Sequence, residues 1–308
     1  MSARLVRPLG LVLVLGAALL LFSPSTALAG TKAVHPATPP RVDTAPPIGS
    51  GGVHPLGHLR SYVIQFSTFD APAGSQVGAE VACPKKTVAL GGGVYLSSGH
   101  LADNLNTSYP LSDGSGWDGF VNNASGSDAT FTVYADCAKA PRSYAIVSSA
   151  EADTPAGTHT SVSVDCPTAV RVLGGGGVLA SIDTAANLSS SAPWETHGPK
   201  TFGWAVSANN AGSGDNTVRA FAVCGNVTGY SIARSSAIDD PAGSDTFAAA
   251  ACASGTVAIG GGVLASSDDI AVNINSDYPN PRIVGWGAYE NNASDSDDSI
   301  TAYAICGF

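Results

Sequence analysis

From Ser61 to its end the chain is one unit written three times, with copies starting near Ser61, Ser143 and Tyr230. Each opens on a turn, at Asp70-Ala71-Pro72-Ala73-Gly74, Asp153-Thr154-Pro155-Ala156-Gly157 and Asp239-Asp240-Pro241-Ala242-Gly243. Eleven residues after each proline stands a cysteine, Cys83, Cys166 or Cys252. Seven residues later comes Leu90, Leu173 or Ile259, and then a run of glycines ending in valine. A proline follows (Pro110, Pro193, Pro279), then Gly-Trp at Trp117, Trp204 and Trp286, then Asn-Asn-Ala from Asn122, Asn209 and Asn291. Each copy closes twenty residues after its tryptophan, on Cys137, Cys224 or Cys306. A period this long, held at so many points, means that the repeat is the folding problem.

Six cysteines allow 15 pairings. Because each copy carries one cysteine in its first third and one at its end, pairing within copies gives Cys83–Cys137, Cys166–Cys224 and Cys252–Cys306. No Cys-x-x-Cys or Cys/His cluster offers a zinc site instead. The N-terminus supplies the compartment in which such pairs persist. Arg4 and Arg7 precede an apolar run from Leu9 to Phe22, and Ala27-Leu28-Ala29 is a small-residue cleavage site. This is the pattern of a secretory leader over residues 1–29, shorter in its apolar part than a membrane span. Residues 30–59 carry six prolines among Gly, Ala and Thr and are expected to be a linker. The repeats then occupy 60–141, 142–227 and 228–308.

Composition narrows the fold and the partners. The whole chain holds 14 Lys+Arg against 24 Asp+Glu, and loss of Arg4 and Arg7 with the leader leaves a charge of −12. An acidic surface does not neutralise phosphates, so nucleic acid is not an expected partner. Val77, Ala79, Val81 and Cys83 alternate with Gln76, Gly78, Glu80 and Ala82, and Phe131 to Cys137 repeats that parity. Period two marks half-buried strands with the cysteines facing inward. The expected fold is all-β, with three tandem disulfide-stapled antiparallel repeats of five or six strands. They form either small sandwiches or one pseudo-three-fold assembly.

The pattern Cys-Pro…Leu-Gly-Gly-Gly-Val…Pro…Gly-Trp…Asn-Asn…Tyr-Ala-x-Cys resembles repeats of exported actinobacterial proteins. It is also similar to tail domains of bacterial collagen-like chains. Ala253 replaces the proline after Cys252, and Phe221 the tyrosine before Cys224. The resemblance implies an extracellular β module and brings no catalytic residues with it.

The glycine runs lack the lysine of a phosphate loop and any following helix, so they indicate backbone passing close to a tryptophan ring or a neighbouring repeat. Asp295-Ser296-Asp297-Asp298 with Asp268-Asp269 could suggest calcium, but Asp128 and Asp215 stand nearly alone in the other copies, which points to hairpin tips. No metal or cofactor is therefore expected. His100, His159 and His197 occupy non-equivalent positions, and Glu195 with Asp183 is the remaining candidate for acid–base work. Trp194 belongs to an insertion, Trp194 to Lys200, unique to the second copy; Tyr109 and Tyr278 flank the equivalent proline in the others. Exposed aromatics at Tyr109, Trp194 and Tyr278 would suit a sugar-binding surface. The expected function is a secreted, non-catalytic module for polysaccharide or cell-wall polymer, with no membrane contact after leader cleavage. The alternatives are a structural or adhesive surface protein, and an exported enzyme or inhibitor acting through the second-repeat insertion.

Overall fold

The computed structural model describes residues 50–53, 59–196 and 201–308. The leader, His35, His54 and His58, and His197 to Lys200 of the insertion lie outside the described residues. Within the expected linker, Ser50–Val53 form a short strand, β1.

The first repeat builds β2 (Val63–Ala71), β3 (Ser75–Ala82), β4 (Val88–Leu96), β5 (Asp103–Pro110), β6 (Gly116–Asn123) and β7 (Ala129–Ala138). The second builds β8 (Arg142–Ser148), β9 (Ala152–Thr154), β10 (Thr158–Asp165), β11 (Arg171–Leu179), β12 (Ala186–Glu195), β13 (Phe202–Asn210) and β14 (Asn216–Asn226). The third builds β15 (Ser231–Arg234), β16 (Ile238–Asp240), β17 (Ser244–Ala251), β18 (Val257–Ala265), β19 (Val272–Asn280), β20 (Gly285–Asn292) and β21 (Asp298–Gly307). The seventh strand arises because the unbroken β2 is split in the later copies. Glycines with φ of 69°, 73° and 76° (Gly74, Gly157, Gly243) make the first turn of each repeat, a backbone region that other residues enter at a cost.

The chain is all-β, and its sheets do not coincide with its repeats. Sheet A runs β1-β2-β7-β4-β19-β20-β17, joining half of repeat 1 to half of repeat 3. Sheet B runs β3-β6-β5-β11-β14-β8, with β9 also on β14, and joins repeats 1 and 2. Sheet C runs β10-β13-β12-β18-β21-β15, with β16 also on β21, and joins repeats 2 and 3. Every repeat is therefore divided between two sheets, three strands and three in the first repeat and four and three in the others, where the split strand adds one. Of the two expected arrangements, the pseudo-three-fold assembly is the one formed.

The seams explain the glycines. A Cβ on Gly91 would lie 2.6 Å from the Cα of Gly260, one on Gly260 3.1 Å from Gly174, and one on Gly174 2.8 Å from Gly91. These first glycines of the runs thus close a triangle about the pseudo-three-fold axis. The second glycines, Gly92, Gly175 and Gly261, lie under Trp117, Trp204 and Trp286, where a Cβ would come within 2.4 Å of the ring. The third, Gly93, Gly176 and Gly262, press on the carbonyls of Asp277, Ser108 and Ser191 in another repeat. A bulge at Leu90, Leu173 and Ile259 turns those wholly buried side chains inward just before each run.

Polar side chains follow the same cycle. Asn122 Nδ2 donates to the Ala186 carbonyl, Asn209 to that of Val272 and Asn291 to that of Asp103, at 2.9, 2.7 and 2.8 Å. Each latches its repeat to another. The next asparagine ties down its own turns: Asn123 donates to the carbonyls of Ala71 and Ser127, Asn210 to Thr154 and Gly214, and Asn292 to Asp240 and Ser296. Trp117, Trp204 and Trp286 are fully buried, and their indole N–H groups donate to Ser108 Oγ, Ser191 Oγ and Asp277 Oδ1. The expected disulfides are all present, with Cα–Cα distances of 5.6, 5.7 and 5.7 Å. Each starts just past β3, β10 or β17 and ends on β7, β14 or β21, so the bridges staple sheet B to A, C to B and A to C. Closing loops of 54 to 58 residues contributes about 4 kcal/mol each in the chain-entropy model.

Candidate functional site

Trp117, Gly119 and Val121 of β6 point into the core, so Asp118 and Phe120 point out. Applied around the molecule, this parity gives each sheet an outer face built from the same four positions of the repeat. On sheet A they are Tyr95, Tyr134, Tyr278 and Tyr289; on sheet B, Val178, Phe221, Tyr109 and Phe120; on sheet C, Leu264, Tyr303, Ala192 and Ser207. One backbone thus presents three different surfaces.

On sheet A the tyrosines pack on one another, with ring centroids of Tyr278 5.0 Å from Tyr95 and 6.1 Å from Tyr134, and all four are 2–6% exposed. Tyr278 is therefore not a surface aromatic, which corrects the expectation of an exposed ring there. Trp194 lies on the outer end of β12 in sheet C, half-buried, its ring against the Cα of Gly203. It follows Pro193, whereas Tyr109 precedes Pro110, so the two stand two residues apart in the repeat: the alternation gives them the same outward face, but they are not equivalent positions. The position matching Tyr109 in the second repeat is Ala192. The structure does not bring the three aromatics together; it distributes them over three sheets.

Tyr109 stands in an open groove. It divides two adjoining depressions of about 540 and 660 Å³ on the outer face of sheet B, with Val178 and Ala180 in the shared wall. Phe120 lines the first, beside the amides of Gln76, Asn106 and Asn216. Phe221, 5.1 Å from the Tyr109 ring, lines the second with Glu80, Glu151 and Arg219. Burial pushes the Tyr109 phenol upward, reinforced by the charges of Asp118 and Glu80. Asp118 is itself raised by burial. At the rim, in the β11–β12 loop, Ile182 is 94% exposed where the sister loops carry Gly99 and Asp268. An isoleucine held in solvent beside aromatic rings adds an apolar contact that the fold itself does not use. Phe120, Phe221, Glu80, Asp118 and Ile182 were not picked out by sequence. Comparing the three copies column by column, for residues unlike their counterparts, is the signal that finds most of them.

The other candidates resolve into structural roles. Asp128, Asp215 and Asp297 each accept from the backbone N–H of the Pro-Ala-Gly alanine, at 3.0–3.1 Å, and so fasten the turn. Asp269 caps its own loop through Ala271 N–H. Among the described residues no group of three His, Cys, Asp or Glu is placed to hold a metal ion. Asp183 lies in the loop before β12 and Glu195 ends that strand, which itself extends about 30 Å, so the two cannot act as a pair. His159 meets Asn209 through Nδ1 at 2.8 Å, while both Ser161 and Asp268 approach Nε2 at 3.4 Å. A Ser-His-Asp relay needs the hydroxyl and the carboxylate on opposite ring nitrogens, so this is no triad.

No protein family model matches the chain, and no curated protein matches it significantly. Three disulfides call for an oxidising or extracellular environment. Among the described residues no helix is long and apolar enough to cross a membrane.

Proposed function

We propose that the protein is an exported, non-catalytic binding module that holds a glycan or cell-envelope polymer against the outer face of sheet B. The secretory leader and the resemblance to exported actinobacterial repeat proteins belong to this reading. The observation that carries it is the groove around Tyr109, in which half-exposed rings alternate with amides and carboxylates. Sugars offer apolar faces and polar edges, and a flat platform of rings fringed by hydrogen-bonding groups is complementary to both. The equivalent positions on sheet A are a packed tyrosine cluster and those on sheet C are mostly small or aliphatic, so the surface expected at Tyr109, Trp194 and Tyr278 narrows to the one around Tyr109.

Retention on insoluble cell-wall and polysaccharide fractions tests it. Tyr109→Ala is expected to weaken retention tenfold or more, the effect of losing an anchoring aromatic. Trp194→Ala is expected to leave it unchanged. Retention by the Tyr109 variant equal to the parent's overturns the reading. A structural or adhesive role is the second reading, favoured by the cyclic latching of the repeats; assembly into deposits without any added polymer supports that role instead.

A further inference from the structure

The groove on sheet B carries a charge arrangement that the fold does not require. Glu80 on β3 and Asp118 on β6 are directly paired across the sheet, and Asp118 is in turn the partner of Tyr109 on β5. Like charges directly opposite each other destabilise a sheet. The sister repeats avoid this, with Ser163 and Ala205 in one and Ala249 and Gly287 in the other. Among the described residues no ion pair is formed by Glu80 or Asp118. Arg219 is the one basic residue lining either depression, and it is engaged by Glu151 at 2.6 Å.

We propose that the groove takes a polycationic glycan, a polymer of amino sugars bearing free ammonium groups. This rests on the binding reading above and adds the charge class of the ligand. An ammonium between Glu80 and Asp118 relieves their repulsion and lies beside the Tyr109 ring, whose face attracts cations. The rest of each sugar covers Phe120 and Phe221. The acidic chain as a whole draws such a polymer in and repels uronic or phosphate-bearing polymers. A basic peptide is the less suitable occupant. The rings of the groove lie over β5, β6 and β14, each paired on both sides, so a chain resting on them finds no free backbone edge to join; only Gln76 and Glu80 come from the end strand β3.

The full-length protein is tested for retention on chitosan, chitin, dextran, alginate and poly-lysine at low and high salt. Retention on chitosan is expected to exceed that on chitin and dextran, to fall with salt, and to be absent on alginate. The double variant Glu80→Gln, Asp118→Asn is expected to weaken chitosan retention about tenfold, the scale of one lost charge pair at an interface. Because the sister repeats fold with neutral residues there, the variant keeps the fold, checked by its thermal midpoint. Equal retention on neutral and cationic glycans, unaffected by the double variant, overturns the charge inference and leaves the glycan reading standing. Retention on none of the glycans overturns both. Tyr109-dependent retention on poly-lysine but not on chitosan assigns the groove to a basic peptide and overturns the inference.

Discussion

The fourth place in the glycine run shows how finely the three copies have been fitted. It is Val94 in the first repeat, Gly177 in the second and Val263 in the third, and the facing residues are Gly119, Val206 and Ala288. A Cβ on Gly119 would meet Val94 Cγ2 at 2.4 Å, and one on Gly177 would meet Val206 Cγ1 at 2.5 Å. The first two copies reach the same packing by exchanging large and small. Gly119→Val is therefore expected to destabilise the protein by about 1–3 kcal/mol, the range for overfilling a packed core. Adding Val94→Gly should recover most of the loss in denaturant unfolding; a single variant as stable as the parent refutes this packing. The need for glycine beside a tryptophan or another repeat was legible in the sequence. The difference between Tyr109 and Tyr278 was not. Tyr278 meets Tyr95 and Tyr134, whereas Tyr109 meets Val178 and Phe221, and these neighbours come from another repeat through a pairing that no local pattern encodes.

At the level of strands, the third repeat carries more interior carboxylates than the first, which buries Asp103 and Asp136. Glu290 on β20 and Asp240 on β16 are wholly buried, and Asp298 on β21 nearly so; the matching residues are Val121, Ala71 and Ala129 in the first repeat and Ala208, Thr154 and Asn216 in the second. No N–H or hydroxyl donates to either carboxylate oxygen of Glu290, whose polar neighbours are the carboxyls of Asp240 and Asp298. Burial, and then the charges of Asp240 and Asp298, push Glu290 up to about 10, and burial pushes Asp277 up to about 8. Folding thus raises both groups above their unfolded values. Their contribution is fully present below the unfolded carboxyl value of about 4.3 and is lost as pH climbs through the folded values. Unfolding midpoints are expected to fall between about pH 5 and pH 9, and Glu290→Val, which installs the residue of the first repeat, should flatten that decline. A parent whose midpoint rises over the same range contradicts the assignment. The alternation, the turns and the disulfide pairs of these strands could be read in advance. Their sheet partners could not, because two sheets built from half-repeats have the same period-two signature as one built from a whole repeat.

For the whole molecule, the three bridges and the three asparagine latches do different work. The bridges join sheets within a repeat, and the latches join repeats to each other. Between repeats the chain is continuous only through the short links after β7 and β14. A polypeptide of residues 60–141 alone has both of its half-sheets without partners. It is expected to fold only by associating with other copies, seen as a concentration-dependent increase in sedimenting mass; a folded, monomeric single repeat refutes the interdependence. The same topology makes the order of the repeats immaterial to the closed ring. A circular permutant that begins with the second repeat and ends with the first has every sheet intact, and three separate one-repeat chains could build the same particle as a strand-exchanged homotrimer. In that sense the repeats stand to the chain as subunits stand to a cyclic trimer, except that joining them in one chain lets each of the three faces carry its own residues.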